Sequence, residues 1–233
     1  MNKTRVAVLI SGRGSNMTAL INAAKQASYP AEIGLVLSNR PDAVGLSHAQ
    51  ADGITTTTID HAAYGRDREC FERSMQQVLD EHRIEIICLA GFMRLLTPWF
   101  VRRWEERMLN IHPALLPAFK GLDTHQRALS AGVKIHGASV HFVVAEMDSG
   151  PIVAQGAVAV REDDDAETLA ARVLAVEHLI YPMALGLVAG GRVRVVGGRC
   201  VINGGSSPRN ALIVPLADDG GRTTEDKQGR TET

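Results

Sequence analysis

Residues 5–16 read RVAVLISGRGSN, an apolar run that passes directly into a loop with two glycines. A short, continuous apolar run bounded by turn residues is typical of a strand buried on both faces of a sheet. After the loop we expect a helix that Asn16 caps and that continues to Ala27. A buried strand followed by a helix is the first unit of a doubly wound α/β fold.

Further apolar runs predict five more strands, at residues 33–37, 84–89, 108–111, 138–143 and 152–160. Helices are predicted at residues 45–51, 68–82 and 166–188, and Pro182 should kink or break the last of them. Because helices alternate with the early strands, the first half of the sheet should be parallel, as in Rossmann-like folds. The short turn at residues 148–151 favours an antiparallel pair, so the sequence predicts a mixed, mostly parallel sheet.

The chain is expected to form one domain over residues 1–196, followed by an extension over residues 197–233. A weak hairpin is predicted from residues 193–196 and 201–202. Beyond about residue 216 the sequence is rich in Asp, Gly, Thr and Lys, a composition typical of disorder.

The composition, with 45% hydrophobic and 22% charged residues, is that of an ordinary globular protein. A formal net charge of -1 gives no global electrostatic reason to bind nucleic acid or a membrane surface. The three cysteines are widely spaced, which suggests neither a disulfide framework nor a zinc site. The first apolar run is too short for a signal peptide or a membrane span, so we expect a cytoplasmic protein.

Three loops carry glycines or chemically reactive residues where predicted parallel strands end, at residues 11–16, 90–94 and 110–113. In open α/β sheets ligands bind beyond the carboxyl ends of such strands. The glycines of the first loop let backbone N–H groups and a helix start approach an anion, although a tight turn with a helix cap explains them equally well. A dinucleotide site is disfavoured because Met17 stands at the third glycine position and Ser38-Asn39 supplies no acid.

Asn110 and His112 project to the same side of an extended chain, so an amide donor and a proton-transfer group lie together. An amide there could hold a carbonyl oxygen as it gains charge. Asp148 could orient the imidazole if its turn folds toward His112. The alternatives remain that Asn110 and His112 are hydrogen-bonded strand-end residues, and that Asp148 only bonds its own backbone.

Other polar residues favour structural roles. We expect His136 and His141, which alternate in a strand, to be hydrogen-bonded structural residues, and their spacing implies no metal. Neighbouring helical residues point apart, so Glu177 should be solvated and His178 half-buried.

Five stretches, in this order, resemble the glycinamide ribonucleotide formyltransferase family of purine biosynthesis: residues 11–16, 90–94, 109–117, 136–142 and 148–151. The resemblance runs from about residue 5 to residue 194. It implies formyl transfer from 10-formyltetrahydrofolate to glycinamide ribonucleotide, with small-molecule partners and no metal. It also allows a homodimer, which no residue pattern demonstrates.

The resemblance also implies roles for individual residues. Catalysis falls to Asn110, His112 and Asp148. Binding of glycinamide ribonucleotide falls to Gly14, Ser15, Asn16 and Glu177. Folate binding falls to Arg68, Met93, Arg94, Leu95, Leu96, Asn110, Val144, Ala145, Glu146, Met147 and Asp148. The match at Arg68 crosses a loop of altered length, and closure of residues 120–125 over the substrates is a hypothesis.

Other functions remain as alternatives. A methionyl-tRNA formyltransferase should carry a further basic domain, and the residues after 190 are too few for one. A formyltetrahydrofolate hydrolase should carry a domain before the first strand. A phosphate-binding module without catalysis would not need the Asn110, His112 and Asp148 set, and a nicotinamide-dependent dehydrogenase would need the glycine and acid that are missing.

Overall fold

The structure is a computed structural model that describes residues 3–204 and residue 214. The strands are β1 (Thr4–Ile10), β2 (Ala31–Ser38), β3 (Thr56–Thr58), β4 (Ile86–Leu89), β5 (Met108–His112), β6 (Ile135–Phe142), β7 (Ile152–Ala159), β8 (Val193–Val196) and β9 (Arg199–Ile202). The helices are α1 (Ser15–Ala24), α2 (Gly45–Ala51), α3 (Arg68–Glu81), α4 (Pro98–Arg103), α5 (Thr124–Ser130) and α6 (Ala166–Ala189), with a 3-10 helix at His61–Tyr64.

Seven strands form one mixed sheet in the order β3-β2-β1-β4-β5-β6-β7. The five strands from β3 to β5 are parallel, whereas β6 runs antiparallel to both β5 and β7. The predicted α/β class, the mixed sheet and the antiparallel β6–β7 pair are confirmed. Because the chain winds outward from β1 to β3 and then returns to β4, the topological switch point lies between β1 and β4.

Helices cover both faces of the sheet, and the alternation of side chains along β1 shows how the sequence achieves this. Val6, Val8 and Ile10 pack on one side, with buried residues of α1 and α6. Ala7 and Leu9 pack on the other side, with buried residues of α3 and α4. Successive residues of a strand point to opposite faces, so an uninterrupted apolar run supplies both cores.

One prediction about helices is wrong, and of the kink or break predicted at Pro182 only the break is excluded. Asn16 does not cap α1, because Gly14 is the N-cap residue, with φ 74°, and Asn16 lies inside the first turn. A left-handed cap is a conformation that glycine adopts without steric cost. Pro182 does not break α6, which continues through it as one helix of 24 residues. Packing of α6 on β6, β7 and α1 compensates for the missing hydrogen bond.

Four short elements were not predicted from the sequence, and one of them is the 3-10 helix at His61–Tyr64. Strand β3 has only three residues, all threonine and none fully buried, so it carries no apolar pattern. Helix α4 has six residues and begins with Pro98 after Thr97, whose side chain accepts a hydrogen bond from Phe100 N. A capping residue followed by proline is a start signal that the sequence did contain. Helix α5 is equally short.

The last helix is long and apolar enough to cross a membrane by length and composition alone. Within the fold, however, α6 buries Leu169, Val173, Ile180 and Leu185 against the sheet and α1. After it, β8 and β9 form the predicted hairpin, which crosses the predicted boundary at residue 197. Most of the extension lies outside the described residues, so the division into domain and extension stays a prediction.

Candidate active site

His112 and Asp148 lie next to each other although they come from different segments of the chain. His112 Nδ1 is 3.5 Å from Asp148 Oδ2, and both side chains are largely buried. His112 Nε2 lies 2.9 Å from the carbonyl oxygen of Phe119. The imidazole therefore has an oxygen acceptor on each side, an arrangement in which only the protonated ring can donate from both nitrogens.

The position of Asp148 depends on how the chain leaves β6. Phe142 pairs with Leu109, so β6 ends beside the start of β5. The segment that follows nevertheless returns across the sheet to the end of β5, where Asp148 meets His112. Asp148 has φ 51°, a left-handed conformation that aspartate tolerates better than most residues. Its Oδ2 also accepts a hydrogen bond from Gly121 N at 2.9 Å.

Asn110 reaches the same group of side chains through His141. Asn110 Nδ2 is 3.2 Å from His141 Nε2, which in turn lies 3.7 Å from Asp148 Oδ1. His141 Nδ1 lies 2.9 Å from the carbonyl oxygen of Phe142 and donates to it. Burial lowers the pKa of His141, so the neutral ring keeps a lone pair on Nε2 and accepts from Asn110. Asn110 retains a second N–H for another acceptor.

The structure thus brings together the three residues that the sequence proposed for catalysis, and it adds His141. The expectation that His141 is a hydrogen-bonded strand residue is correct but incomplete, since its ring also contacts Asn110 and Asp148. Its register partner across β5 and β6 is Asn110. The sequence contains the alternation that puts His141 on one face, but the pairing of two antiparallel strands is needed to see which neighbour it meets.

The glycine loop after β1 lies at the start of α1. Gly14 caps the helix, Ser15 and Asn16 form its first turn, and among the described residues no side chain caps its N-terminus. Gly45 supports this loop, because its N–H donates to the Gly12 carbonyl at 3.0 Å. The backbone N–H groups of the first helical turn are the kind of donors that bind phosphate.

Asn16 and Glu177 form a buried pair between α1 and α6. Asn16 Nδ2 donates to Glu177 Oε2 at 2.6 Å, while Asn16 Oδ1 is buried and has no hydrogen-bond partner in the described part of the chain. Glu177 is only 7% exposed, so the expectation of a solvated glutamate is wrong. The reason is that Glu177 lies on the face of α6 that packs against α1. Burial raises the pKa of Glu177, with a smaller opposing effect from Asn16.

Apart from Asn110, which lies on β5, the residues proposed for folate binding lie in two segments and at one helix start. The segment between β4 and α4 carries Met93, Arg94, Leu95 and Leu96. The segment between β6 and β7 carries Val144, Ala145, Glu146, Met147 and Asp148. Three large apolar side chains here are unusually exposed, with Met93 at 70%, Leu95 at 65% and Met147 at 55%. Exposed apolar side chains around polar groups are typical of a ligand site.

Arg68 stands apart from these segments. It is the first residue of α3, which Asp67 caps by accepting a hydrogen bond from Cys70 N at 2.9 Å. One helical turn later, Glu72 accepts a hydrogen bond from Thr97 N at 2.6 Å. The start of α3 is therefore tied to the end of the segment between β4 and α4.

The segment between β5 and α5 closes over one side of the site. Lys120 Nζ donates to Ser149 Oγ at 2.5 Å, and Gly121 N donates to Asp148 as described above. Leu122 is 75% exposed beside them. Residues 120–122 thus contact the turn that carries Asp148, while their movement stays a hypothesis.

The remaining histidines near the site do not form a metal centre. His125 and His136 stack edge to face with ring centroids 5.4 Å apart, and burial lowers the pKa of His136 to about 4. His136 Nε2 is buried without a partner among the described residues. Within residues 3–204 no group of three or more His, Cys, Asp or Glu residues has a geometry that could hold a metal ion.

Residues 4–185 match the family described as formyl transferase. The chain is 43% identical over 190 residues to phosphoribosylglycinamide formyltransferase of Escherichia coli (strain K12), covering 82% of this chain and 89% of that protein. It is also 51% identical over 194 residues to the trifunctional purine biosynthetic protein adenosine-3 of Gallus gallus, covering 83% of this chain.

This chain spans only 19% of the length of the Gallus gallus protein. Among solved structures, it superposes with a TM-score of 0.83 on glycinamide ribonucleotide transformylase 1 from Symbiobacterium toebii. The two share 42% sequence identity, and the match covers 86% of this chain and 94% of that one. The likeness therefore spans nearly all of the described fold.

Proposed function

This chain belongs to the formyl transferase family, and we propose that it moves the formyl group of 10-formyltetrahydrofolate onto the amine of glycinamide ribonucleotide. The product is formylglycinamide ribonucleotide, an intermediate of de novo purine biosynthesis. The observation that carries the proposal is the convergence of Asn110, His112 and Asp148, in which Asp148 lies 3.5 Å from His112 and His141 lies between Asp148 and Asn110. Simple binding of a phosphorylated ligand does not require this set.

In the proposed reaction the substrate amine attacks the formyl carbon, and a tetrahedral intermediate with a negatively charged oxygen forms. The free N–H of Asn110 is one donor for this oxygen, and protonated His112 is the other, once the substrate oxygen replaces the Phe119 carbonyl as the partner of Nε2. Asn110 is suited to the role because His141 Nε2 holds one of its N–H groups and so fixes the plane of the amide. The enzyme itself forms no covalent bond to the formyl group.

Proton transfer completes the proposed reaction. The attacking amine must lose a proton, and the folate nitrogen that leaves must gain one. Asp148 is the nearest carboxylate to His112, and it sustains the charge of the imidazolium while it relays a proton through water. The Gly121 N–H holds the carboxylate in place, so that its orientation does not depend on the substrates.

Glycinamide ribonucleotide is proposed to bind between the glycine loop and α6. Its phosphate would accept from the backbone N–H groups of Gly14, Ser15 and Asn16 at the start of α1. Its ribose hydroxyls and amine are natural partners for Glu177 and for the unpartnered Oδ1 of Asn16. A buried acceptor without a partner is costly, and a ligand hydroxyl or ammonium group would satisfy it.

The folate carrier is proposed to bind on the other side of the catalytic residues. The exposed apolar side chains of Met93, Leu95 and Met147 offer the surface that a pterin ring and a benzoyl group require. Arg68, at the start of α3, is proposed to meet the acidic tail of the carrier. Holding both substrates in contact supplies a large share of the rate in such a transfer.

The test mixes purified protein with 10-formyltetrahydrofolate, with and without glycinamide ribonucleotide, and follows the folate absorbance and the product mass. The proposal expects loss of the formyl group only when the amine is present, together with a product heavier by one formyl group. Loss of the formyl group without the amine would instead identify a formyltetrahydrofolate hydrolase. Absence of any reaction with both substrates would reject the proposal.

Cellular placement and assembly complete the proposal. We propose a cytoplasmic enzyme, because all three cysteines are free thiols and α6 packs an apolar face against the sheet and α1. A homodimer is compatible with the fold, and light scattering at several protein concentrations would measure it.

A further inference from the structure

Ser11 lies at the topological switch point, where the chain leaves β1 beside the end of β4. Its side chain is buried, with 8% of the residue exposed. The Ser11 N–H donates to the Gly91 carbonyl at 3.2 Å, which continues the pairing of β1 and β4 beyond the last strand residues. Gly91 has φ 72°, so the chain turns there, away from the sheet.

The Ser11 hydroxyl joins three loops. It donates to Asn39 Oδ1 at 2.5 Å, at the end of β2, and it accepts from the Met93 N–H at 2.8 Å, in the segment after β4. A serine hydroxyl has one proton to donate, so the bond to Asn39 leaves its lone pairs facing the Met93 N–H. Asn39 is itself held by the His61 N–H, which donates to the Asn39 carbonyl at 3.2 Å.

The two ends of this connection belong to the two proposed substrate sites. Ser11 is the first residue of the loop that continues to Gly14, Ser15 and Asn16, where the phosphorylated substrate is proposed to bind. Met93 is the first of the four residues between β4 and α4 that are proposed to contact the carrier. The Met93 side chain is exposed, and its backbone N–H is held by Ser11.

We infer that Ser11 is a positioning residue. It fixes the position of the carrier-binding segment, residues 93–96, relative to the substrate loop, residues 11–16. The inference rests on the proposed function and deepens it. It explains how the distance between the substrate amine and the formyl carbon of the carrier is set. Ser11 belongs to neither of the two proposed sets of substrate contacts. It acts through the Met93 backbone, so its loss should misplace the carrier more than the phosphorylated substrate. A misplacement of about 1 Å between reacting groups lowers the rate strongly.

The test compares Ser11→Ala with Ser38→Ala in the full-length protein. Ser38 is a matched control, because it is fully buried at the same edge of the sheet and its hydroxyl also makes two hydrogen bonds. Both of those bonds go to Arg40 backbone atoms, and neither reaches a proposed substrate segment. Steady-state kinetics with each substrate varied separately, calorimetric binding of glycinamide ribonucleotide alone and thermal unfolding are measured for both variants.

Ser11→Ala removes both hydrogen bonds of the hydroxyl, and loss of the one from the Met93 N–H is expected to lower kcat/KM for the folate carrier about tenfold. Its affinity for glycinamide ribonucleotide alone should stay within twofold of the unmodified protein, and Ser38→Ala should leave kcat/KM within twofold. Ser11→Cys has a side chain of similar shape that donates and accepts only weakly. Its kcat/KM for the carrier should lie between the values for Ser11→Ala and the unmodified protein. This third variant also serves if Ser11→Ala does not fold.

Equal kcat/KM values for the carrier in the Ser11 and Ser38 variants would overturn the inference. A Ser11 variant that loses affinity for both substrates in proportion to its loss of thermal stability would overturn it as well, since that pattern indicates general damage. The proposed function fails separately, through absence of formyl transfer by the unmodified protein, so the two failures are distinguishable.

Discussion

Asn16 Nδ2 donates to Glu177 Oε2 at 2.6 Å, and this hydrogen bond joins helix α1 to helix α6. The pair is buried, and Glu177 carries a raised pKa because burial disfavours its charge. A carboxylate kept in such a place at the expense of stability is typical of a binding site. A substitution at Glu177 should therefore change both the stability of the fold and the binding of the substrate.

The first prediction concerns Glu177→Gln, which keeps the shape of the side chain and an acceptor for Asn16. At neutral pH the variant should unfold at a higher temperature, because it no longer buries a charge. Its KM for glycinamide ribonucleotide should rise about tenfold or more, since a charged acceptor is lost. Thermal unfolding and steady-state kinetics measure the two effects.

The stability difference should depend on pH in a defined direction. Between the ordinary pKa of 4.5 and the raised pKa of Glu177, the folded protein binds more protons than the unfolded chain. The stability of the unmodified protein therefore falls as pH rises through this window, and the advantage of Glu177→Gln grows. Below pH 4.5 the advantage should vanish. A difference that stays constant from pH 4 to pH 8 would contradict the assigned burial of charge.

The second prediction concerns the proposed catalytic pair. Asp148→Asn and His112→Ala should each lower kcat by about two orders of magnitude or more, while circular dichroism shows an intact fold. Because the two side chains are 3.5 Å apart and act together, the double variant should be little slower than either single variant. Effects that multiply in the double variant would mean that the two residues act independently.

The third prediction tests how the turn that carries Asp148 is placed. A Cβ at Gly150 would lie 1.8 Å from the Phe142 carbonyl oxygen, so Gly150→Ala must shift the backbone. We expect a loss of about 1–3 kcal/mol in the free energy of unfolding and a lower kcat, because Asp148 moves with the turn. Denaturant titration and kinetics check both.

Gly12→Ala is the control for stability, because a Cβ there meets no heavy atom within 4 Å. Its free energy of unfolding should change by less than about 0.5 kcal/mol. A Gly150→Ala variant as stable and as active as the unmodified protein would show that the turn tolerates displacement.

The fourth prediction separates stability from activity. The fully buried Tyr181 hydroxyl on α6 lies 3.0 Å from the Leu89 carbonyl and 3.2 Å from the Leu109 carbonyl, on two neighbouring strands. Tyr181→Phe should lower the free energy of unfolding by about 1–2 kcal/mol and leave kcat within about twofold. Tyr29→Phe should cost less, since the Tyr29 hydroxyl that donates to the Pro182 carbonyl is only partly buried and water can replace it.

Much of the fold could be predicted from the sequence because its signals are local. Apolar runs such as residues 5–10 mark strands buried on both faces, and the helical periodicity of residues 68–82 marks α3. The short turn before β7 predicts the antiparallel pair correctly. The three-residue strand β3 and the short helices α4 and α5 escaped prediction because so few residues carry too weak a pattern.

The chemistry of the site was only partly visible in the sequence. Asn110 and His112 could be placed together, because residues two apart in a strand share a face. Their contact with Asp148 could be predicted only on the condition that the turn carrying Asp148 folds toward His112. The local sequence does not determine how that turn folds back across β5. The role of His141 beside Asn110 was missed for the same reason, because strand register is a property of the paired strands.

By itself the sequence determined the α/β class, the positions of the main strands and helices, and the residue types available for chemistry, because these follow from patterns within a few residues. Only the tertiary structure decided that Glu177 is buried, that Asn16 pairs with it instead of capping α1, and that Ser11 holds Met93. Each of these depends on segments far apart in the chain meeting at one sheet edge or helix interface. Local periodicity does not encode such contacts, since packing of the whole fold sets them.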